Sequence, residues 1–504
     1  MEQASLRGRT LGGVLWMSLD RVVLFVVAAV TTAVLARLLP PSDFGIVGAA
    51  LVAVDIVAQV VNAAVTTSLV QRARTTRAHL ATAFWLSALL SAGLYGTIWL
   101  ATPAIASFFG MTALLTVLPA LALLFVFDGL SAVAKAQQQR KLAFREVVVI
   151  RVVADVVGLG AFSIALAVMG YGVWALVGGR LAQSVLRAVG FLARFPHPVR
   201  GASGRALREI VAFGGGVVLQ GAMNSVARQS DSLVVGRFLG AGALGLYNRS
   251  YRMMALPASF LAESFTSVLF PVLSRAQAAL DSLRSALVRA TALLALALLP
   301  ASGAVAVLAP EAVFVGLGPD WLGAAPALGV LAFGMFPRVG YKTGMTILQA
   351  RGRIYLAASL EASYAALIIL GAVLGWRYGI QGVAVGTVSA VTAFFVLATL
   401  AAARETATPL GELLRPVASG AALGVACTLA AYVTAVGLRS AEVPAVVTLL
   451  SGGAAALAVW IGVVATVPRG LGAHAAWLHR VAREAFGRLS VFESALPDDT
   501  RPGP

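Results

Sequence analysis

Long apolar runs alternate with short polar breaks along almost the whole chain. An apolar run of about 20 residues makes a helix long enough to cross the hydrocarbon layer of a bilayer. On that measure the sequence predicts spans at 12–36, 44–70, 81–102, 111–134, 146–169, 171–193 and 210–236. Further spans follow at 288–309, 322–349, 354–375, 378–402, 412–436 and 443–467, with one more at 244–271 between the two groups. The predicted fold is an all-α polytopic membrane protein of about 14 transmembrane helices.

The polar breaks are of two kinds. One set is rich in basic residues: Arg7 and Arg9; Arg72, Arg74 and Arg77; Lys135, Arg140, Lys141 and Arg145; and Arg194, Arg200, Arg205 and Arg208. It continues with Arg275, Arg284 and Arg289, then Arg351 and Arg353, then Arg404 and Arg415, and ends in the tail. The alternate breaks hold only Arg37, Arg237, Arg377 and Arg439. Basic loops stay in the cytoplasm, so both termini are expected there, and an even number of spans agrees. The tail 468–504 is the one sizeable soluble segment, and 475–489 fits either a basic amphipathic helix lying on the inner leaflet or a short disordered tail. The break 274–289 has similar character, with Leu283 and Leu287 four apart and arginines placed to meet anionic headgroups.

A repeat sets the expected architecture. Ala36-Arg37-Leu38-Leu39 and Gly45-Ile46 recur 200 positions later as Gly236-Arg237-Phe238-Leu239 and Gly245-Leu246. Thr66-Thr67-Ser68-Leu69 recurs as Thr266-Ser267-Val268-Leu269, and Tyr171-Gly172 opens the sixth span as Tyr378-Gly379 opens the twelfth. Six spans per repeat bring both halves into the membrane in the same sense, a parallel pseudo-two-fold about the membrane normal. The expected organisation is a six-helix lobe at 1–200, a second at 201–410, two additional helices at 411–467 and a cytoplasmic tail at 468–504.

Charges inside the spans carry the candidate chemistry. They are densest at 217–256, where Asn224, Arg228 and Asp231 fall on one helical face, and Arg249 and Arg252 share another. A charge at the bilayer centre costs about 2.5–3.5 kcal/mol on the most lenient scale, so such residues line an aqueous cavity or pair inside the bundle. The candidates for binding substrate are Arg21, Arg228, Arg249, Arg252, Arg338 and Lys342. The candidates for ion or proton coupling are Asp20, Asp55, Asp128 and Asp155. Arg151 with Asp155 also fits a plain intrahelical pair, and Arg187 fits a side chain snorkelling to the headgroups. The charges do not follow the repeat, since Arg21 aligns with Gly221 and Ala28 with Arg228. That asymmetry suits a cavity whose two walls hold different parts of one substrate. An excess of arginine favours an anion, and the planar guanidinium fork matches phosphate or pyrophosphate. Gly214, Gly215, Gly216 and Gly221, with Pro119, Pro257, Pro300, Pro326 and Pro337, offer places for helices to bend.

Composition narrows the class further. The chain is 59% hydrophobic and 12% charged, with mean hydropathy +0.89, which excludes an ordinary soluble protein. The net charge of +17 reads as membrane orientation rather than nucleic-acid binding, because the basic residues sit in short loops between spans. Cys427 is the sole cysteine, and four dispersed histidines give no metal spacing. No phosphate-cradling loop and no nucleophile with a base is present, so neither an enzyme nor a resident metal or cofactor is expected.

The residues Gly12-Gly13-Val14-Leu15-Trp16 followed by Val34-Leu35-Ala36-Arg37-Leu38-Leu39-Pro40-Pro41-Ser42-Asp43-Phe44-Gly45 resemble the opening of the polysaccharide transporter family. Ser232-Leu233-Val234-Val235-Gly236-Arg237-Phe238-Leu239-Gly240 with Leu244-Gly245-Leu246-Tyr247 resembles that family's midpoint, and Gln138-Gln139-Arg140-Lys141-Leu142-Ala143-Phe144 its fourth-to-fifth turn. This family of Wzx-type flippases belongs to the multidrug/oligosaccharidyl-lipid/polysaccharide flippase superfamily. The resemblance implies a V-shaped bundle that flips an undecaprenyl-pyrophosphate-linked oligosaccharide from the inner to the outer leaflet of the bacterial inner membrane. It further implies cavity arginines, such as Arg21, Arg249 and Arg252, that hold the pyrophosphate. Coupling to a proton, sodium or the membrane potential is open. The expected partners are the lipid-linked oligosaccharide, membrane lipids, and the polysaccharide polymerase and assembly proteins, with no nucleic acid.

Three rival readings stay open at this point. A cation-coupled multidrug exporter of the same superfamily shares the scaffold, although a basic lining and 14 spans are not its usual pattern. A membrane glycosyltransferase, polymerase or ligase needs acidic or histidine-bearing outer loops, where only Glu311 and Asp320 stand. A non-transporting scaffold of a polysaccharide assembly complex is the third.

Overall fold

The computed structural model describes residues 22–61, 68–71, 75–141, 144–275 and 280–466. Backbone alone is described at 56–61, 71, 141, 144, 212–228, 259–275 and 354. The described chain is helical, in 15 principal elements with short connecting turns. They begin with α1 (Val22–Leu38), α2 (Pro41–Val61), α3 (Arg77–Phe109) and α4 (Leu114–Lys141). Helix α5 runs through Phe144–Val153, a π-helical stretch Ala154–Phe162 and a last turn Ser163–Val168, and is followed by α6 (Val173–Arg194) and α7 (Gly204–Arg275). Next come α8 (Leu280–Val307), α9 (Ala309–Leu317), α10 (Ala325–Ala332) and α11 (Met335–Ala350). The last four are α12 (Ile354–Gly375), α13 (Gly379–Glu405), α14 (Leu410–Ser440) and α15 (Ala445–Thr466). Among the described residues, seven helical tracts are long and apolar enough to cross a membrane, or eight if the bent pair around residue 333 is one span. The chain is a multi-pass membrane protein.

Local chemistry explains where several helices start, break and bend. Thr76 caps α3 by accepting from the His79 amide, while the His79 ring accepts from the Thr76 amide, which satisfies two donors the helix cannot pair internally. The predicted loop between 236 and 244 is reduced to one residue: Gly240 takes φ 82°, a conformation closed to most side chains, and α7 is helical on both sides of it. The predicted span 322–349 is bent by 42° between α10 and α11. Pro337 lies just beyond, where it has no N–H to return to the carbonyl four residues back. The break 274–289 is not a surface amphipathic helix as the sequence suggested. Residues from Leu280 onward already belong to α8, and Leu283 and Leu287 are buried inside the protein. The tail beyond 466 and its segment 475–489 lie outside the described residues, as do residues 12–21 of the first predicted span.

By contacts the chain divides into two compact units. One comprises Met1–Ser250, Val313–Ala327 and Glu361–Thr387; the other comprises Tyr251–Ala312, Leu328–Leu360 and Val388–Pro504. At the centre of the first, the starts of α2 and of the second arm of α7 cross at backbone contact. A methyl group on Gly45 would stand 1.7 Å from the Ala241 carbonyl oxygen, and one on Gly245 would stand 1.9 Å from that of Pro41. The 200-residue offset that relates these segments in sequence also relates the two halves of this contact. The arginines before them are exchanged in the same way. Arg37 donates to the Val315 carbonyl at 2.8 Å, near the end of α9, and Arg237 donates to the Phe108 carbonyl at 2.7 Å, near the end of α3. Late carbonyls of a helix have no partner within it, so each arginine satisfies an exposed helix end.

In the second unit α8 and α14 run parallel. Gly420 lies against Ala295, Gly424 against Leu299 and Gly303 against Thr428, each close enough that an added methyl group would clash or press. Ion pairs join both ends: Arg284 with Glu412 at one, Glu311 with Arg439 at the other. Helix α15 packs on the same group, where Trp460 donates to the Leu296 carbonyl at 2.8 Å.

Gly45→Ala is expected to destabilise the purified protein by about 1–3 kcal/mol, because the crossing leaves no room for a methyl group. Gly93→Ala, in α3 with open space around it, is expected to leave the melting temperature unchanged or slightly raised. Thermal melts of both variants in one detergent check the contrast.

Candidate functional site

Among the arginines marked in the sequence, Arg249 has the best-defined seat. It lies nine residues past Gly240, about 13 Å along the second arm of α7. Its guanidinium covers the face of Phe44 at 4.4 Å from the ring centroid. Phe44 is itself buried at the start of α2 and meets the edge of Trp321, with ring centroids 5.0 Å apart at 81°. A cation over an aromatic face gains electrostatic attraction from the ring quadrupole.

Arg338 is held in the same manner within the second unit. Its guanidinium lies 4.6 Å above the Tyr251 ring and donates to the Tyr251 hydroxyl. One turn on in α11, Lys342 is exposed, and Tyr341 between them packs against Phe394 at 4.9 Å. Arg252 is exposed on α7. Arg228 lies in the helical part of α7 with only its backbone described, and Asp20 and Arg21 fall outside the described residues.

The acidic candidates have neighbours of their own. Asp55 accepts from Gln229 at 3.3 Å, which ties α2 to α7. Asp128 pairs with Lys135 along α4 at 2.6 Å. Asp155 is buried in the π-helical part of α5, where it accepts from Gln183 at 2.7 Å and Arg187 at 2.5 Å on α6. The snorkelling position considered for Arg187 is thus replaced by a partner on the neighbouring helix. Close packing makes that possible: Gly158 lies against the Gln183 backbone and Gly179 against Ser163, so α5 and α6 approach at backbone distance. The extra residue in a π turn shifts the face of α5, and such turns commonly mark functional positions. Asp231 is buried as well. It accepts from the Tyr247 hydroxyl at 2.9 Å, and Tyr247 in turn lies 3.3 Å from the Thr387 hydroxyl. Beside it, Ser232 donates to Asn248 at 3.0 Å.

Sequence reasoning missed Phe44, Tyr251, Tyr247, Thr387 and Gln183. Phe44 and Tyr247 were quoted only as parts of motifs, and the others are single polar or aromatic residues in apolar helices. Tyr251 carried the best signal, lying beside Arg252 in the polar stretch 217–256. Among the described residues, no three His, Cys, Asp or Glu side chains gather as a metal site.

Glu311 and Arg439 belong to the frame. Burial alone would raise the Glu311 carboxyl, but hydrogen bonds from Arg439 at 2.6 and 2.8 Å and the adjoining positive charge outweigh it and hold the group below its usual range. A carboxylate whose folded pKa is depressed contributes stability above its unfolded pKa and loses that contribution as pH falls through the folded value.

These features define a helical membrane protein with arginines seated on aromatic rings. Residues 34–326 match the family described as polysaccharide biosynthesis protein, and the chain belongs to that family. It is similar to the teichuronic acid biosynthesis protein TuaB of Bacillus subtilis (strain 168), with 26% identity over 58% of this chain and 60% of that one. The match therefore spans less than two thirds of TuaB. It is also similar to the lipopolysaccharide biosynthesis protein WzxC of Escherichia coli (strain K12), with 24% identity over 78% of this chain and 82% of that one. Its fold matches a solved structure of the lipid II flippase MurJ in an inward closed conformation. That match covers 90% of this chain and all of that one, with TM-score 0.72 and 14% identity. The family match agrees with the resemblance carried by the opening and midpoint motifs.

Removing one partner of a buried pair leaves an uncompensated charge, so Arg439→Ala is expected to cost about 2 kcal/mol. In wild-type protein, stability is expected to fall as pH drops below the ordinary glutamate value of 4.5 and Glu311 takes up a proton. Melting curves of Glu311→Gln over that window are expected to show a smaller pH-dependent fall than wild type.

Proposed function

We propose that the chain is a flippase that moves an undecaprenyl-pyrophosphate-linked oligosaccharide from the cytoplasmic to the outer leaflet of the bacterial inner membrane. The observation that carries this reading is the seating of Arg249 and Arg338 on aromatic rings within the apolar helices α7 and α11. Positive charge set in apolar helices suits a pyrophosphate headgroup better than a cationic drug. The family and the relatives named for polysaccharide and lipopolysaccharide biosynthesis support a lipid-linked sugar as cargo. The flippase fold supports transport rather than enzymatic chemistry.

In this reading Arg21, Arg228, Arg249, Arg252, Arg338 and Lys342 neutralise the headgroup while the polyprenyl tail stays in the bilayer. Two six-helix lobes, 1–200 and 201–410, rock between inward and outward openings across 14 spans, with helices 411–467 added and both termini cytoplasmic. The exchanged contacts of Gly45 with Ala241 and Gly245 with Pro41 support the parallel repeat, because a two-fold relation makes each half of a contact the image of the other. A proton, sodium or the membrane potential supplies the energy, with Asp20, Asp55, Asp128 and Asp155 as coupling candidates. The polysaccharide polymerase and assembly proteins receive the flipped product.

Reconstitution tests the headgroup role. Arg249→Ala combined with Arg252→Ala is expected to slow translocation of a pyrophosphate-linked oligosaccharide in proteoliposomes by at least about 10-fold, the loss of a charge-assisted contact. Unchanged translocation removes these arginines from the mechanism. Topology is checked separately in a Cys427→Ala background. A membrane-impermeant maleimide applied to intact cells is expected to label Asp320→Cys and not Gln349→Cys.

A further inference from the structure

Arg249 is held from two directions by one short turn. The 3-10 turn Pro319–Ala324 carries Trp321, whose side chain is wholly buried. The indole N–H donates to the Ala36 carbonyl at 2.8 Å, near the end of α1, and the indole packs against Phe44, the ring beneath Arg249. On the other side, the hydroxyl of Ser250, adjacent to Arg249, donates to the Ala324 carbonyl at 2.7 Å. The turn thus reaches both the ring under the guanidinium and the backbone position next to it. Phe44 and Trp321 belong to neither the repeat motif's glycines nor the charged lining, and packing economy alone does not require a cation above that ring.

We infer that Phe44 and Trp321 are positioning residues for Arg249, fixing the guanidinium so that it binds the anionic headgroup only while the turn Pro319–Ala324 is seated. The inference rests on the headgroup role proposed for Arg249 and adds its regulation. Trp321 sets the Phe44 ring, Phe44 sets the guanidinium plane, and Ser250 holds the helix at the same level. Displacement of the turn withdraws the support of the ring and the tether of the helix together. Headgroup affinity therefore falls when the 318–324 segment moves, which couples opening at this end of the molecule to release of the headgroup there.

The test uses full-length protein in nanodiscs, with undecaprenyl pyrophosphate as the probe. Arg249→Ala is expected to weaken binding by at least about 10-fold. Phe44→Leu keeps apolar volume but removes the ring face, and is expected to weaken binding about 3- to 10-fold, the range for a partly desolvated cation–π contact. Phe44→Tyr is expected to retain affinity within about twofold, since the ring face persists. Trp321→Phe, which loses the bond to Ala36, is expected to weaken binding about threefold. The discriminating measurement is the double variant Phe44→Leu with Arg249→Ala, expected to bind no more weakly than Arg249→Ala alone. If the two losses multiply, or if Phe44→Leu and Trp321→Phe both bind like wild type while Arg249→Ala does not, the positioning role is overturned and the headgroup role stands. If Arg249→Ala itself binds like wild type, the headgroup role of Arg249 is overturned, and the positioning role with it. Phe44→Tyr and Trp321→Phe, the smaller changes, carry the test if Phe44→Leu does not fold.

Discussion

The crossing of Gly45 and Gly245 is the constraint on which the first compact unit depends. Two helix starts approach so closely that each presents bare backbone to the other, and no side chain larger than hydrogen fits. Close approach of this kind is how membrane helices gain packing energy where lipid offers no hydrophobic driving force. It also fixes the neighbours. With α2 and the second arm of α7 pinned, Arg37 reaches Val315 and Arg237 reaches Phe108, and Phe44 and Tyr247 point to their partners Trp321 and Thr387. The seat of Arg249 is therefore a consequence of a backbone contact made four residues earlier in the same helix arm.

The charges inside the helices sort by what they touch. Arg187, Arg284 and Arg439 meet carboxylates on neighbouring helices and act as ties of the frame. Arg249 and Arg338 lie over aromatic rings, and Arg338 also donates to the hydroxyl of the tyrosine beneath it. The distinction is energetic. A carboxylate partner neutralises the arginine, whereas a ring reduces the cost of burying it and brings no negative charge.

Much of the helical order was legible in the sequence, because apolar runs of span length have few alternative folds and the 200-residue repeat survives at Arg37, Gly45, Arg237 and Gly245. Bends and breaks were less legible. Gly240 was one glycine among many until its φ of 82° showed it carrying the whole turn between two helix arms. The partners of the charges were not legible at all. Asp155 sits four residues from Arg151, a spacing that suggests a local pair, yet its carboxylate accepts from Gln183 and Arg187 on α6. Glu311 and Arg439 stand in separate breaks, and Phe44 and Arg249 in separate repeats. Helical periodicity reports which residues share a face; it carries no information on which faces meet.

The two C-terminal helices look like an appendage in the sequence, since they lie outside the repeat. Their packing argues otherwise. Helix α14 follows α8 in parallel register from Arg284–Glu412 at one end through three close glycine contacts to Glu311–Arg439 at the other. Parallel neighbours need a long connection, and here it is everything between α8 and α14, so the pair closes a loop through α9 to α13. A helix held at both ends and along its middle moves with its partner as one body. Helices α14 and α15 are therefore built into the packing of the second unit rather than appended to it.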